Sequence, residues 1–206
     1  MNRIDEVVFK TLVPRSPVFT TRAVMRLAKT RSDVATRALN NLASRGLLTR
    51  VMRGMWADVR HPDFSPYVVV PHLLHGDVGY VSLLSALNLH GMIAQIPRAI
   101  HVVVAAQRRA ITTVVGRYEF HQLSQELIGG HEPYGRLGLF ELATPAKALF
   151  DVLYYSARKG RRFVRLPELE FPSGFRRREV ESWIRRIPYR NLREAVRQRW
   201  NGIPNT

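Results

Sequence analysis

The chain has 206 residues and 46% apolar residues, enough for one large or two small domains around a buried core. It has no cysteine, which excludes disulfides, thiolate zinc sites and a cysteine nucleophile and fits a reducing cytoplasm. Its longest apolar runs, such as 67–71, are far too short to span a bilayer, and no basic-then-apolar leader is read at the start. The charge is lopsided: 32 Lys/Arg against 16 Asp/Glu give a net +16, and only Lys10, Lys29, Lys147 and Lys159 are lysines.

That charge is concentrated at the two ends. Residues 1–60 carry 12 basic and 4 acidic side chains, residues 61–157 carry 6 and 7, and residues 158–206 carry 14 and 5. Two basic lobes around a neutral body form an electrostatic footprint for a polyanion. Arginine's planar fork suits phosphates and guanine edges. No basic amphipathic stretch has the wide apolar face and aromatic anchors of a membrane-surface helix.

In chain order, Ile4, Val7 and Val8 predict a first helix over 3–10, broken by Pro14 and Pro17. Thr20 or Thr21 caps a second helix through Leu27, with Ala23, Val24 and Leu27 inward. After a turn at 29–31, Ser32 is read as the cap of a third helix over 33–45, ended by Gly46. Its Ala35, Ala38, Leu39 and Leu42 recur at core spacing, leaving Thr36, Arg37, Asn40 and Ser44 on the opposite face. Residues 47–51 and 55–59 read as strands around an Arg53-Gly54 turn. A basic hairpin directly after a helix-turn-helix predicts a winged helix over 1–60 that reads duplex DNA. The candidate DNA-binding residues are Arg31, Ser32, Thr36, Arg37, Asn40, Asn41, Arg50 and Arg53. Ser32, Thr36, Arg37 and Asn40 are assigned to base edges, and Arg31, Arg50 and Arg53 to phosphates. Trp56 is expected to pack under the hairpin.

Residues 61–66 read as a linker to a second domain, 67–206. The spacing predicts a buried helix over 80–90 ended by Gly91, and strands over 99–105, 111–115, 117–123 and 139–142. Thr144-Pro145 opens a helix to about residue 157. Helices over 175–187 and 191–200 follow, the first with Val180, Trp183, Ile184 and Ile187 on one face. The fold class expected is α+β: a winged helix, then a small, mainly antiparallel sheet with C-terminal helices. A second basic surface is expected from Arg158, Lys159, Arg161, Arg162, Arg176, Arg177, Arg178, Arg185 and Arg186.

The stretches Gly79-Tyr80-Val81-Ser82, Ser85-Ala86-Leu87 and His90-Gly91 resemble the start of the C-terminal region of AbiEi-type antitoxins. So does Ala143-Thr144-Pro145-Ala146-Lys147-Ala148-Leu149-Phe150-Asp151, which is similar to that family's ATP-x-KAL-x-D helix start. The resemblance covers nearly the whole chain. It implies a transcriptional autorepressor and antitoxin of a type IV toxin–antitoxin system, acting at inverted repeats in its own promoter. Its functional partner would be a nucleotidyltransferase-like toxin, and the C-terminal domain would carry antitoxicity.

Catalytic and metal constellations are weak, and neither catalysis nor a metal or other cofactor is expected. His72, His75 and Asp77 could form a facial triad only with unusual local geometry around Pro71 and Gly76. His90, His101, His121 and His131 fall on different elements, with His90 read as a capping or core residue. Glu141, Lys147 and Asp151 are the best nuclease-like set, although Lys147 and Asp151 also read as a solvated i,i+4 pair. A winged-helix regulator with a ligand-sensing middle domain and a metal-dependent nuclease stand as the alternatives.

Overall fold

The computed structural model describes residues 3–158 and 166–204. The fold is α+β and divides into two units. The first comprises residues 1–76, 112–116 and 134–140; the second comprises residues 77–111, 117–133 and 141–206.

In the first unit, α1 (Arg3–Glu6) continues as a π-helical stretch, Val7–Leu12. A short strand, β1 (Val18–Thr20), leads into α2 (Thr21–Ala28), whose N-terminus is capped by the Thr20 hydroxyl accepting from the Ala23 amide at 3.2 Å. Val24 and Ala28 form the buried side of α2, while Leu27, expected inside, is exposed. The helix ends at Lys29 in the left-handed region, and α3 (Ser32–Ser44) follows. Arg31 holds the extended cap position of α3, so Ser32 is its first helical residue and makes no capping bond. Gly46, at φ +69°, supplies the left-handed turn after α3. The Leu47 amide then returns to the Leu42 carbonyl at 3.0 Å, which delays the next strand beyond the expected residue 47.

β2 (Thr49–Met52) and β3 (Met55–Ala57) pair antiparallel, with Arg50 opposite Trp56 and a register shift between Arg50 and Met52. β1 pairs antiparallel on the other side of β3, giving the order β1-β3-β2. Val8, Phe19, Val24, Ala35, Leu39, Leu42, Leu48 and Trp56 fill one core beneath this sheet and the three helices. Beyond it, a 3₁₀ turn (Pro66–Val69) and α4 (Val70–Leu74) bury Val68, Val69, Val70, Leu73 and Leu74.

The second sheet has six strands: β4 (Gly79–Val81), β5 (Ile100–Val104), β6 (Ile111–Thr113), β7 (Gly116–Gln122), β8 (His131–Tyr134) and β9 (Phe140–Ala143). Their order is β6-β7-β5-β4-β9-β8. The sheet is mixed: β4 runs antiparallel to β5, while β4–β9 and β5–β7 are parallel. The expected helix over 80–90 is really strand β4, then α5 (Leu83–Leu89). Val81 is fully buried and bridges Val102 and Leu142 on either side, and that two-sided pairing overrides the leucine spacing.

α6 (Pro145–Ala157) is capped by Thr144 and packs against α5, α7 (Arg177–Arg185) and α8 (Arg190–Asn201). Every residue from Ala146 to Ser156 is buried, so α6 has no solvent face. Val180, Trp183, Ile184 and Ile187 are buried in and just after α7, as are Val196 and Trp200 in α8. Among the described residues no helix is long and apolar enough to cross a membrane.

Candidate nucleic-acid interface

The period of α3 divides it cleanly. Ala35, Leu39 and Leu42 are buried, whereas Arg31, Ser32, Asp33, Arg37, Asn40 and Asn41 are exposed and Thr36 is half-buried. Arg31, Ser32, Thr36, Arg37 and Asn40 line one shallow open concavity, together with Met25 and Asp33. Asn41 lies elsewhere, in a second depression with Ile4, Asp5, Val34, Ala38 and Arg45, and Arg37 borders both. The first concavity thus collects guanidinium, hydroxyl and amide groups, the donors and acceptors that base edges and phosphates require.

Met25, on α2, joins this lining without having been singled out in the sequence. Asp33 sits in the first turn of α3, where its carboxylate complements the helix dipole and accepts from Arg31 Nε at 3.2 Å. Arg22 and Arg26 on α2 and Arg45 after α3 add exposed cations to the same unit.

The hairpin is anchored from below. Trp56 is 1% exposed and its indole Nε1 donates to the Thr21 hydroxyl at 2.9 Å, while the Thr21 amide donates to the Gly54 carbonyl at 2.9 Å. Trp56 therefore packs inward, as expected. Arg50 is exposed and lies 5.7 Å from the Trp56 ring centroid, and Arg53 is exposed in the turn.

Among the described residues, the cations of the second basic set differ in what engages them. Arg177 is half-buried, lies 4.0 Å from the Trp200 ring centroid and donates to the Ile203 and Pro204 carbonyls, so it serves the fold. Arg186 is exposed against Trp183 at 4.1 Å, and exposed Arg176 pairs with Glu179 at 3.3 Å. Arg178 and Arg185 are exposed, and Arg158 is exposed beside the Tyr154 ring. Lys159, Arg161 and Arg162 lie outside the described residues.

The nuclease-like set divides between two ion pairs. Lys147 and Asp151 form a fully buried ion pair on α6, which corrects the solvated-pair expectation. Asp151 also accepts from the Ser82 hydroxyl at 2.6 Å. Tyr80, Phe150 and Trp183 surround the ammonium of Lys147. Burial pushes the lysine pKa down and the Asp151 and Tyr80 pKa values up, so the enclosure disfavours charge that the pair restores. A Cβ on Gly130 would come within 2.7 Å of the Trp183 ring and 3.1 Å of the Lys147 chain, so only glycine closes this wall. Glu141 is held instead by His131 at 2.7 Å.

His90, the half-buried C-cap residue of α5, donates from Nε2 to the Ala143 carbonyl at 2.7 Å, tying α5 to the start of α6. His75 bonds the Leu73 carbonyl at 2.9 Å, and Asp77 pairs with Arg108, so the histidine–aspartate triad has its groups committed to other partners.

No protein-family model matches the chain, and no curated protein matches it. Among solved structures, the chain is similar to the RV2827C protein from Mycobacterium tuberculosis, with a TM-score of 0.59 over 97% of this chain and 76% of that one. The identity is 12%, so the likeness is one of fold alone.

Proposed function

We propose that the first unit is a winged helix-turn-helix, with α3 as the recognition helix and the β2–β3 hairpin as the wing, and that the chain is a DNA-binding autorepressor. The observation that carries this reading is the single concavity shared by Arg31, Ser32, Thr36, Arg37 and Asn40 on the exposed side of α3. The anchored hairpin with exposed Arg50 and Arg53 supports it, as does the basic excess over residues 1–60. Arg37 and Asn40 read bases, and Arg31, Arg50 and Arg53 hold phosphates.

The resemblance of residues 79–91 and 143–151 to AbiEi-type antitoxins extends the proposal to a cytoplasmic antitoxin opposing a nucleotidyltransferase-like toxin. On this reading the exposed arginines of α7 are a second contact surface, for DNA or for the toxin's neutralisation. Two arms of one co-expression experiment test the two halves. The first scores repression of a reporter driven by the DNA upstream of the gene; the second scores growth rescue from the adjacent gene product. Repression without rescue leaves a plain repressor. Rescue without repression removes the DNA-reading role, and neither outcome occurring removes both.

A further inference from the structure

The parallel pairing of β5 with β7 sets His101 beside Glu119, with His121 two residues further along the same face. His101 Nδ1 and His121 Nε2 lie 3.0 Å apart, and Glu119 Oε2 lies 3.9 Å from the same His101 nitrogen. One donor atom from each of the three residues falls within 4.8 Å of the others. His101 and His121 are 7% and 3% exposed, and Glu119 is half-buried beside them. Read along the sequence, these histidines sit 20 residues apart on different strands, which is why they seemed unrelated.

We propose that His101, Glu119 and His121 form a binding site for a divalent first-row transition ion such as Zn²⁺. Two imidazole nitrogens and a carboxylate oxygen are the donor set that such borderline ions take. Nitrogens 3.0 Å apart both reach an ion at about 2.1 Å when the angle at the ion is about 90°. Glu119 Oε2 completes the set with a movement of about 1 Å or less.

The supports are fixed. Both Arg117 Nε and Nη2 hold Glu119 Oε1 at 3.1 Å, which leaves Oε2 toward His101. Tyr155 packs edge-on against His121, and its hydroxyl donates to the adjoining Gln122 carbonyl at 2.6 Å. This inference concerns the second unit and does not rest on the DNA-binding reading.

The test is equilibrium dialysis of the full chain against Zn²⁺ with metal quantification, and a parallel Co²⁺ titration read by visible absorption. The wild-type chain is expected to take up about one ion, with a Co²⁺ ligand-field spectrum. Glu119→Gln is expected to weaken binding roughly tenfold or more, and His121→Asn to abolish it. His75→Asn, at an exposed histidine outside the group, should bind as wild type. Uptake below about half an ion by wild type, or a Glu119→Gln affinity equal to wild type, overturns the proposal. Should His121→Asn fail to fold, Glu119→Gln decides alone, since it keeps the size of a half-buried side chain.

Discussion

Helices α3 and α6 have 13 residues each and opposite uses. α3 buries three residues and turns its polar ones outward around a concavity. α6 buries eleven consecutive residues, among them a lysine and an aspartate that neutralise each other. Both carry charged groups at helical spacing, so charge alone does not mark a functional face. What separates them is the partner: Arg37 meets solvent on a half-apolar helix, whereas Lys147 meets Asp151 inside a shell of aromatic rings. An exposed cation costs little to keep and is available to a ligand, while a buried pair is dear to break.

The contrast is most sharply broken at α6. Asp151→Ala leaves Lys147 buried without its counter-ion and should cost about 3–5 kcal/mol in denaturant unfolding. Replacing both partners with Lys147→Met and Asp151→Leu should recover most of that loss. A single variant as stable as wild type would mean that the pair is not enclosed. At α3, Gly46→Ala forces a side chain into the left-handed turn and should cost about 1–2 kcal/mol in thermal unfolding. The helix should keep its polar face, so any DNA affinity per folded molecule should survive.

Smaller again is the hairpin's contribution. Arg53→Ala should lower the slope of log affinity against log salt by about 0.9, equally on all duplexes, if Arg53 meets one phosphate. An unchanged slope would move Arg53 off the interface. The smallest effect expected is on pH. Burial holds the half-buried His72 below its ordinary pKa of about 6.5. The unfolded chain therefore takes up this proton first, and stability is intact above that value and falls as pH drops through it. His72→Asn should flatten this dependence in unfolding curves between about pH 7 and 5; an identical pH profile would sink the assignment.

Legibility in the sequence followed the same division. The apolar spacing of α3, Gly46 after it, the Thr144-Pro145 start of α6 and the buried stripe of α7 were all readable, because each is a local pattern. β1 was not, since three residues after two prolines carry no period and form a strand only because β3 offers an open edge. β4 was hidden by leucines at helical spacing that belong to α5. In the candidate DNA interface, Arg31, Ser32, Thr36, Arg37 and Asn40 were legible as one face, but Asn41 turns about one helical step away into another depression. Arg177 looked like a surface cation until Trp200 and two C-terminal carbonyls came to meet it. The Lys147–Asp151 spacing was visible, but its burial depends on Ser82, Tyr80 and Trp183, which no local pattern links.

The most direct measurement is fluorescence anisotropy of wild type and Arg37→Ala on the upstream promoter duplex and on a scrambled duplex of equal length and charge. Base reading by α3 predicts that the variant loses about 1–3 kcal/mol on promoter DNA, relaxes preference at one base position, and changes little on the scrambled duplex. An equal, small loss on both duplexes would contradict the account and leave α3 with a solvated face and no sequence to read.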